Sequence, residues 1–408
     1  MPTIGLSMIV KNGGEDLRRC LTSARPVVDQ IVIGDTGSTD DSHQIAQEFG
    51  TTVVEIPWTN HYAEARNACL QHMTTDWVLV LDADEELSTK AGAEMPKLID
   101  CSKSVGGFRF LQRNYQKERF HHSLGRLSKE FTGEHERAAA LGAKSYLDNP
   151  LCRLFRKDER LYFHGRIHEL IERQIIAANL HMPQTELVIH HFGALAESRS
   201  FLKKHAAYRD LLRLALKENP NDSNLWVQLG ISEKYYFQQN DEALKCYQKA
   251  AALHYPKADA WIGIAQICKE EGEHQKVLDA LSRLKDVGDV AMLKCELSAD
   301  ALHSLGRLKE ARVKYASALR SAKSSKGHRE ACISIESKLG YTEVRLGMHR
   351  AGIAKMRRAV EAWPTLLENH DRLVKALVFI HRETEAADAA EAIFQHFIRK
   401  ESSPAQPR

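Results

Sequence analysis

Residues 77–87 read WVLVLDADEEL, an apolar run that ends in four carboxylates among the five residues 82–86. Trp77, Val78, Leu79, Val80 and Leu81 form a short, unbroken, β-rich segment, the pattern of a strand buried on both faces at the centre of a sheet. Asp82 and Asp84 are two positions apart, so their side chains share a face while the backbone stays extended. Like charges held that close repel, and a cation between them is the least costly way to keep both ionised. The stretch therefore points to a metal at a strand end.

Outward from this strand, the chain alternates β-like and helical runs from residue 3 to about 87. TIGLSMIV precedes EDLRRCLTSA, QIVIGDTG precedes DSHQIAQEFG, TVVEIPW precedes YAEARNACLQHM, and WVLVLDAD closes the series. That order predicts βαβ units in a mostly parallel sheet covered by helices. Ligands in such sheets lie outside the carboxyl ends of the strands, where this chain carries Asp35, Thr36 and Ser38, then Trp58 and Asn60, then Asp82 and Asp84. Residues 106–193 are less regular, with strand-like GGFRFLQRNY, CRLFRK and TELVIHHFG around a basic stretch, RLYFHGRIHEL.

After Ser198 the rhythm is helical, and it repeats. FQQNDEALKCYQKAAALHYP, EEGEHQKVLDALSRL, SLGRLKEARVKYASAL and RLGMHRAGIAKMRRAVEAWP share a turn residue, a small residue five positions on and a bulky one four later. Gly272 to Gly306 spans 34 residues and Ala243 to Ala311 spans 68, twice that period. Trp226, Leu229 and Gly230, followed by Ala243, Tyr247, Ala250 and a late Pro256, match the tetratricopeptide repeat pattern. Gly306 to Gly347 is 41, which predicts an insertion in the turn near 321–330. Four repeats and a weaker fifth near 381–397 would stack into a solenoid with a concave binding face.

The fold class expected is an α/β Rossmann-like domain followed by an all-α solenoid. The expected boundaries are 1–198 for the first domain, 199–222 for a helical linker, 223–400 for the repeats and 401–408 for a disordered tail.

Four motifs in order, LSMIVKN, IVIGDTGSTDDS, EARN and LDADEEL, resemble family 2 glycosyltransferases of the GT-A fold. The similarity runs over roughly residues 3–195, and its nearest subgroup holds bacteriocin S-glycosyltransferases and lipopolysaccharide-core glucosyltransferases. This resemblance implies inverting transfer of a sugar, a hexose, from a nucleotide donor, usually UDP-linked. It implies Mn2+ or Mg2+ with Asp84 as the direct ligand, and Asp82 on the ribose or on the metal through water. It further implies Asp35 on the nucleoside base, Arg66 on the nucleotide, and Asn67 holding the adjacent loop. Arg153 and the stretch Gly165–Leu170 look like later motifs of the subgroup; Glu169 and His168 are the candidates for the base that takes the acceptor's proton. His190 or His191 would supply a third metal ligand. Relatives commonly read K-N-E-E where this chain has Lys11, Asn12, Gly13 and Gly14; two glycines predict a more flexible loop and place its donor contacts, Lys11 and Asn12, in question.

The chemistry suits the residues. A departing nucleoside diphosphate gains charge as the glycosidic bond breaks, and a cation clamped by carboxylate oxygens stabilises that charge. Magnesium and manganese both take oxygen ligands. A nicotinamide enzyme would need G-x-G-x-x-G after the first strand, which VKNGGEDL does not supply.

At 408 residues the chain is long enough for two or three domains, and 43% hydrophobic with 27% charged residues is a globular composition. A net charge of +3 gives no case for nucleic acid. No apolar stretch is long enough to cross a bilayer, and MPTIGLSMIVKNGG does not read as a signal peptide. Eight scattered cysteines lack any C-x-x-C pair, so reduced thiols and a cytoplasmic location are expected. The partners expected are a UDP-sugar and a protein or peptide acceptor docked on the repeats. A glycan acceptor such as lipopolysaccharide, reached through basic RLSKEF and RLFRKDER, a non-catalytic adaptor whose repeats bind a partner and whose transferase domain is degenerate, and homo-oligomer formation stay open.

Overall fold

A computed structural model describes residues 2–117, 122–123, 126–195, 201–253, 258–285, 288–324 and 329–393. Pro256, the centre of the expected insertion at 325–328 and the tail 401–408 lie outside the described residues. Two compact units divide the chain between Asn221 and Asp222, with an excursion at 120–130 counted in the second.

Among its described residues the first unit is built on eight strands: β1 (Ile4–Val10), β2 (Gln30–Asp35), β3 (Thr52–Glu55), β4 (Trp77–Val80), β5 (Glu85–Leu87), β6 (Gly107–Gln116), β7 (Ser145–Arg156) and β8 (Gln184–His191). Their order in the sheet is 3-2-1-4-7-6-8-5. Strands β3, β2, β1 and β4 are parallel, with Val10 opposite Asp35 and Ser7 opposite Val80, so their carboxyl ends form one edge. Strand β7 then runs antiparallel to β4, which brings its residue 153 next to the end of β4. On the far side, β8 pairs with both β6 and β5, setting His191 opposite Asn114 and Glu85.

The apolar run of β4 is buried throughout, as its sequence predicts. Trp77, Leu79 and Leu81 enter one core with Leu17 and Leu21 of α1 (Gly14–Ala24), Ile45 of α2 (Ser42–Glu48) and Met95 of α4 (Thr89–Leu98). Val78 and Val80 enter the opposite core with Cys69 and Leu70 of α3 (Tyr62–Gln71), joined by Phe163 and Ile175. Each such side chain withdrawn from water stabilises the fold by about 1.5–3 kcal/mol. Two short helices, α5 (Glu136–Ala140) and α6 (Glu172–Ala177), and a long one, α7 (Phe201–Glu218), complete the unit.

The loop after β1 differs from the expectation of flexibility. Asn12 Oδ1 accepts from the Thr39 amide at 2.7 Å, and the Asn12 and Gly13 amides donate to Ser38 Oγ and Ser42 Oγ at 2.9 and 2.8 Å. A Cβ on Gly13 would stand 2.8 Å from Val10 Cγ2 and 2.9 Å from Leu17 Cβ. Glycine here lets α1 start tight against the sheet, and side-chain hydrogen bonds pin the loop.

Among its described residues the second unit contains five helical hairpins: α8 (Ser223–Ile231) with α9 (Asn240–Ala252), α10 (Ala258–Glu270) with α11 (His274–Ser282), α12 (Gly288–Ser304) with α13 (Leu308–Ser324), α14 (Arg329–Arg345) with α15 (His349–Ala362), and α16 (Leu367–Phe379) with α17 (Glu383–Ile393). Gly272, Gly306 and Gly347, which set the period, occupy left-handed backbone at the hairpin turns. The longer spacing from 306 to 347 is not a turn insertion alone. Helix α13 has 17 residues where α11 has 9, eight more, which covers the whole seven-residue excess. Whole turns of helix preserve the buried face, whereas a shorter insertion would rotate it away. No helix among the described residues is long and apolar enough to cross a membrane.

Candidate active site

The carboxyl edge of β4 opens into a cavity of about 380 Å³ whose lining includes Arg66, Asp82, Asp84, Arg153, Glu169 and His191. The two aspartates do not share a face of an extended strand. Strand β4 stops at Val80, and a turn follows in which the Glu85 amide donates to the Asp82 carbonyl at 3.0 Å. The turn separates the two acids, and each finds its own partner.

Asp82 is held by two arginines. Arg66 Nη2 donates to its Oδ1 at 2.8 Å and Arg153 Nη2 to its Oδ2 at 3.3 Å. Burial would raise its pKa, but the two guanidinium charges outweigh burial and hold Asp82 well below the usual carboxylate range. The cations that answer the repulsion in DADEEL are thus, for Asp82, protein side chains. Arg66 also donates from Nε to Glu169 Oε1 at 2.7 Å, and Arg153 from Nη2 to Glu85 Oε1 at 2.6 Å. Glu85 is fully buried beneath the site and also accepts from Gln112 Nε2 at 2.5 Å. Its burial raises its pKa against the opposing charge of Arg153. Arg66 Nη1 and Arg153 Nε are buried without a hydrogen-bond partner among the described residues.

Asp84 faces His191, Oδ2 to Nε2, at 3.4 Å. Burial would raise the acid, yet the imidazole holds it below its ordinary range; burial would lower the imidazole, yet the carboxylate raises it. The other ring nitrogen, Nδ1, lies 2.6 Å from Asn114 Oδ1, an acceptor, which assigns the proton to Nδ1 whenever the ring is neutral. Nε2 then has a lone pair aimed toward Asp84. A Cβ on Gly193 would stand 2.8 Å from Asp84 Oδ2 and 2.9 Å from His191 Nε2, so the missing side chain keeps this corner clear. Among the described residues no three of His, Cys, Asp and Glu converge as a complete ion cage. A carboxylate oxygen and an imidazole nitrogen nevertheless fit a divalent cation that takes further ligands from substrate phosphates.

His190, adjacent on β8, points to the other face. Its Nδ1 lies 2.7 Å from the Tyr115 hydroxyl, its ring stacks on Tyr115, and His135 lies 4.2 Å away by ring centroid. Alternation along the strand separates it from the acids.

Asp35 is 4% exposed and organises the turn after β2, where Oδ1 accepts from the Gly37 and Ser38 amides at 3.0 and 2.8 Å. Its Oδ2 lies 2.8 Å from His43 Nε2. Lys11 is exposed and lines a neighbouring cavity. Asn67 pins the Phe163 backbone through both its amide atoms, at 2.9 and 2.8 Å. His168 has φ +55°, an unusual conformation for a histidine, and its Nε2 lies 2.7 Å from the Tyr208 hydroxyl.

Sequence reasoning did not single out Glu85, Gln112, Asn114, Lys204 or Tyr208. The last two belong to α7, in the segment expected to be a linker, and both line the cavity. Their signal was present in the spacing: Lys204, Tyr208 and Leu211 are four and three residues apart, on one helical face.

Residues 6–160 match the family model "Glycosyl transferase family 2". A TPR repeat-containing protein of Synechococcus elongatus is 30% identical over 236 residues, 56% of this chain and 52% of that protein. The SPbeta prophage-derived glycosyltransferase SunS of Bacillus subtilis is 23% identical over 269 residues, 63% of this chain and 54% of SunS. The chain thus spans about half the length of these curated relatives. Among solved structures, glucosyl-3-phosphoglycerate synthase from Mycobacterium tuberculosis superposes with a TM-score of 0.35 at 16% identity, over 53% of this chain and 79% of that one. A tetratricopeptide repeat protein from Parabacteroides merdae does so with 0.40 at 15%, over 48% and 75%. Asp35, Arg66, Asp82, Asp84 and Arg153 therefore lie within the domain, residues 6–160, that matches glycosyl transferase family 2.

Proposed function

We propose that the protein is a metal-dependent, inverting glycosyltransferase that moves a hexose from a UDP-sugar to a protein or peptide acceptor in the cytoplasm. The observation that carries this reading is the convergence of Arg66, Asp82, Asp84, Arg153 and His191 on one cavity, with two buried arginine nitrogens, Arg66 Nη1 and Arg153 Nε, unpartnered. Buried donors of this kind suit an acceptor-rich ligand such as a diphosphate.

Asp84 and His191 would hold Mn2+ or Mg2+, which when bound neutralises charge on the diphosphate. Asp82 keeps Arg66 and Arg153 in place, and Lys11, Asn12 and Asp35 serve the nucleoside side of the donor. Glu169 is committed to Arg66 at 2.7 Å, so its role is to orient that guanidinium. His168 takes the acceptor's proton, a contribution of roughly 10²- to 10⁴-fold from a positioned base. For the acceptor, the second unit has a cavity of about 750 Å³ lined by Trp363, Lys269, Glu296, Asp300 and Arg372, whose mixed charges and aromatic ring suit an extended peptide.

Release of free hexose from UDP-sugars, followed with and without manganese, tests this reading. Turnover that needs the metal and disappears in Asp84→Ala supports it. A chain without turnover in any form would be an adaptor.

A further inference from the structure

Helix α7 lies beyond residue 160, where the family match ends, yet it builds part of the site. A second cavity, of about 560 Å³, adjoins the first and shares Tyr62, Lys204 and Tyr208 with it. The two are compartments of one cleft of opposite character. The first carries the acids and arginines; the second is walled by Val10 and Trp58 on one side and by Leu211 and Leu214 of α7 on the other. A ligand that fills both must have a flat, partly apolar end and a strongly polar end.

Lys204 stands where the compartments meet. Its ammonium has no ion-pair partner among the described residues, whereas Lys234, Lys269, Lys338 and Lys355 each hold a carboxylate. The helix that presents it is tied down on both sides of the cleft. Tyr208 meets His168 at 2.7 Å, and Arg166 joins Glu218 of α7 to the Asn60 carbonyl, the latter at 2.8 Å. An anchored helix whose ammonium, near enough to Asp84 to help hold that acid ionised, makes no ion pair among the described residues is suited to grip an anion that spans an apolar and a polar compartment.

We propose that Lys204 binds the diphosphate of the donor, with the base in the second cavity, and steadies the leaving group. This inference rests on the transferase reading above. In the reaction, the bond between the sugar's anomeric carbon and the diphosphate oxygen breaks, and its electron pair leaves on that oxygen. The acceptor's nucleophilic atom bonds to the same carbon and gives its proton to His168. The ammonium of Lys204 acts on the charge that accumulates on the diphosphate.

Calorimetric titration of the full chain with UDP and with uridine, each in the presence of manganese, tests the assignment. Lys204→Ala should weaken UDP binding by roughly tenfold or more while leaving uridine binding unchanged, and Lys204→Arg should restore most of the loss. Equal UDP affinity in Lys204→Ala and the parent chain overturns the assignment while the transferase reading stands. Should the parent bind neither ligand, that reading fails too, and this inference with it. If Lys204→Ala does not unfold cooperatively, Lys204→Gln, uncharged with a similar stem, reads the same difference.

Discussion

Two acids two residues apart do different work because each meets a different partner. Asp82 is enclosed by Arg66 and Arg153, and Arg153 in turn is what compensates Glu85, which has no exposure to water. Removing one partner of a buried pair leaves an unpaired charge and costs about 3–5 kcal/mol. Arg153→Met should therefore lower stability by an amount of that order in urea unfolding, and Glu85→Gln in the same chain should recover part of it. If the single substitution were neutral, Glu85 would have to be neutral in the native state and the arginine unnecessary to it. Asp84 and His191 meet at a corner that only glycine leaves open. Gly193→Ala puts a methyl group within 3 Å of both facing atoms, so manganese affinity measured by calorimetry with UDP present should fall at least roughly tenfold, the size of effect seen when a ligand's support is disturbed. An unchanged affinity would remove this corner from the metal site.

At the scale of the element, β8 shows how one strand serves two purposes. Its alternation sends His191 to the cleft and His190 to an aromatic core with Tyr115 and Phe192. Burial first, then the nearby His135 and Arg113 charges, push His190 down to about 3 from the ordinary 6.5. The folded state thus keeps this ring neutral where the unfolded chain protonates it. Stability is fully present above pH 6.5 and is lost as the pH falls from there toward 3, at no more than about 1.4 kcal/mol per pH unit from this group. The thermal midpoint of His190→Gln should accordingly fall less steeply between pH 7 and pH 4.5 than that of the parent; parallel slopes would rule out His190 as a source of the acid sensitivity. Helix α7 makes the same point in another way, since its 18 residues bring Lys204 and Tyr208 to a site assembled mainly from strand ends.

At the scale of the whole molecule, each unit has its own core: two apolar layers on either side of the sheet, and separate clusters along the helical hairpins. A chain ending at Asn221 keeps the first pair of layers and all of α7. It should retain UDP binding and donor hydrolysis and lose most of its transfer to protein acceptors, as read by mass increase of labelled substrates. Unchanged transfer to proteins would show that the repeats do not dock the acceptor. The order of strands and helices, the buried apolar run at 77–81, the repeat period and the turn glycines were legible in the sequence, because each is a local pattern with a period set by backbone geometry. Asp82, Asp84, Arg66 and Arg153 were legible as a group through their motifs. What only the tertiary structure decided is who pairs with whom. Two arginines meet Asp82; Glu169 belongs to Arg66; His191, not His190, faces Asp84; and a helix expected as a connector lines the cavity. Those outcomes depend on where strands 75 to 106 residues apart come into register and where a strand stops and turns, and local periodicity carries no information about either.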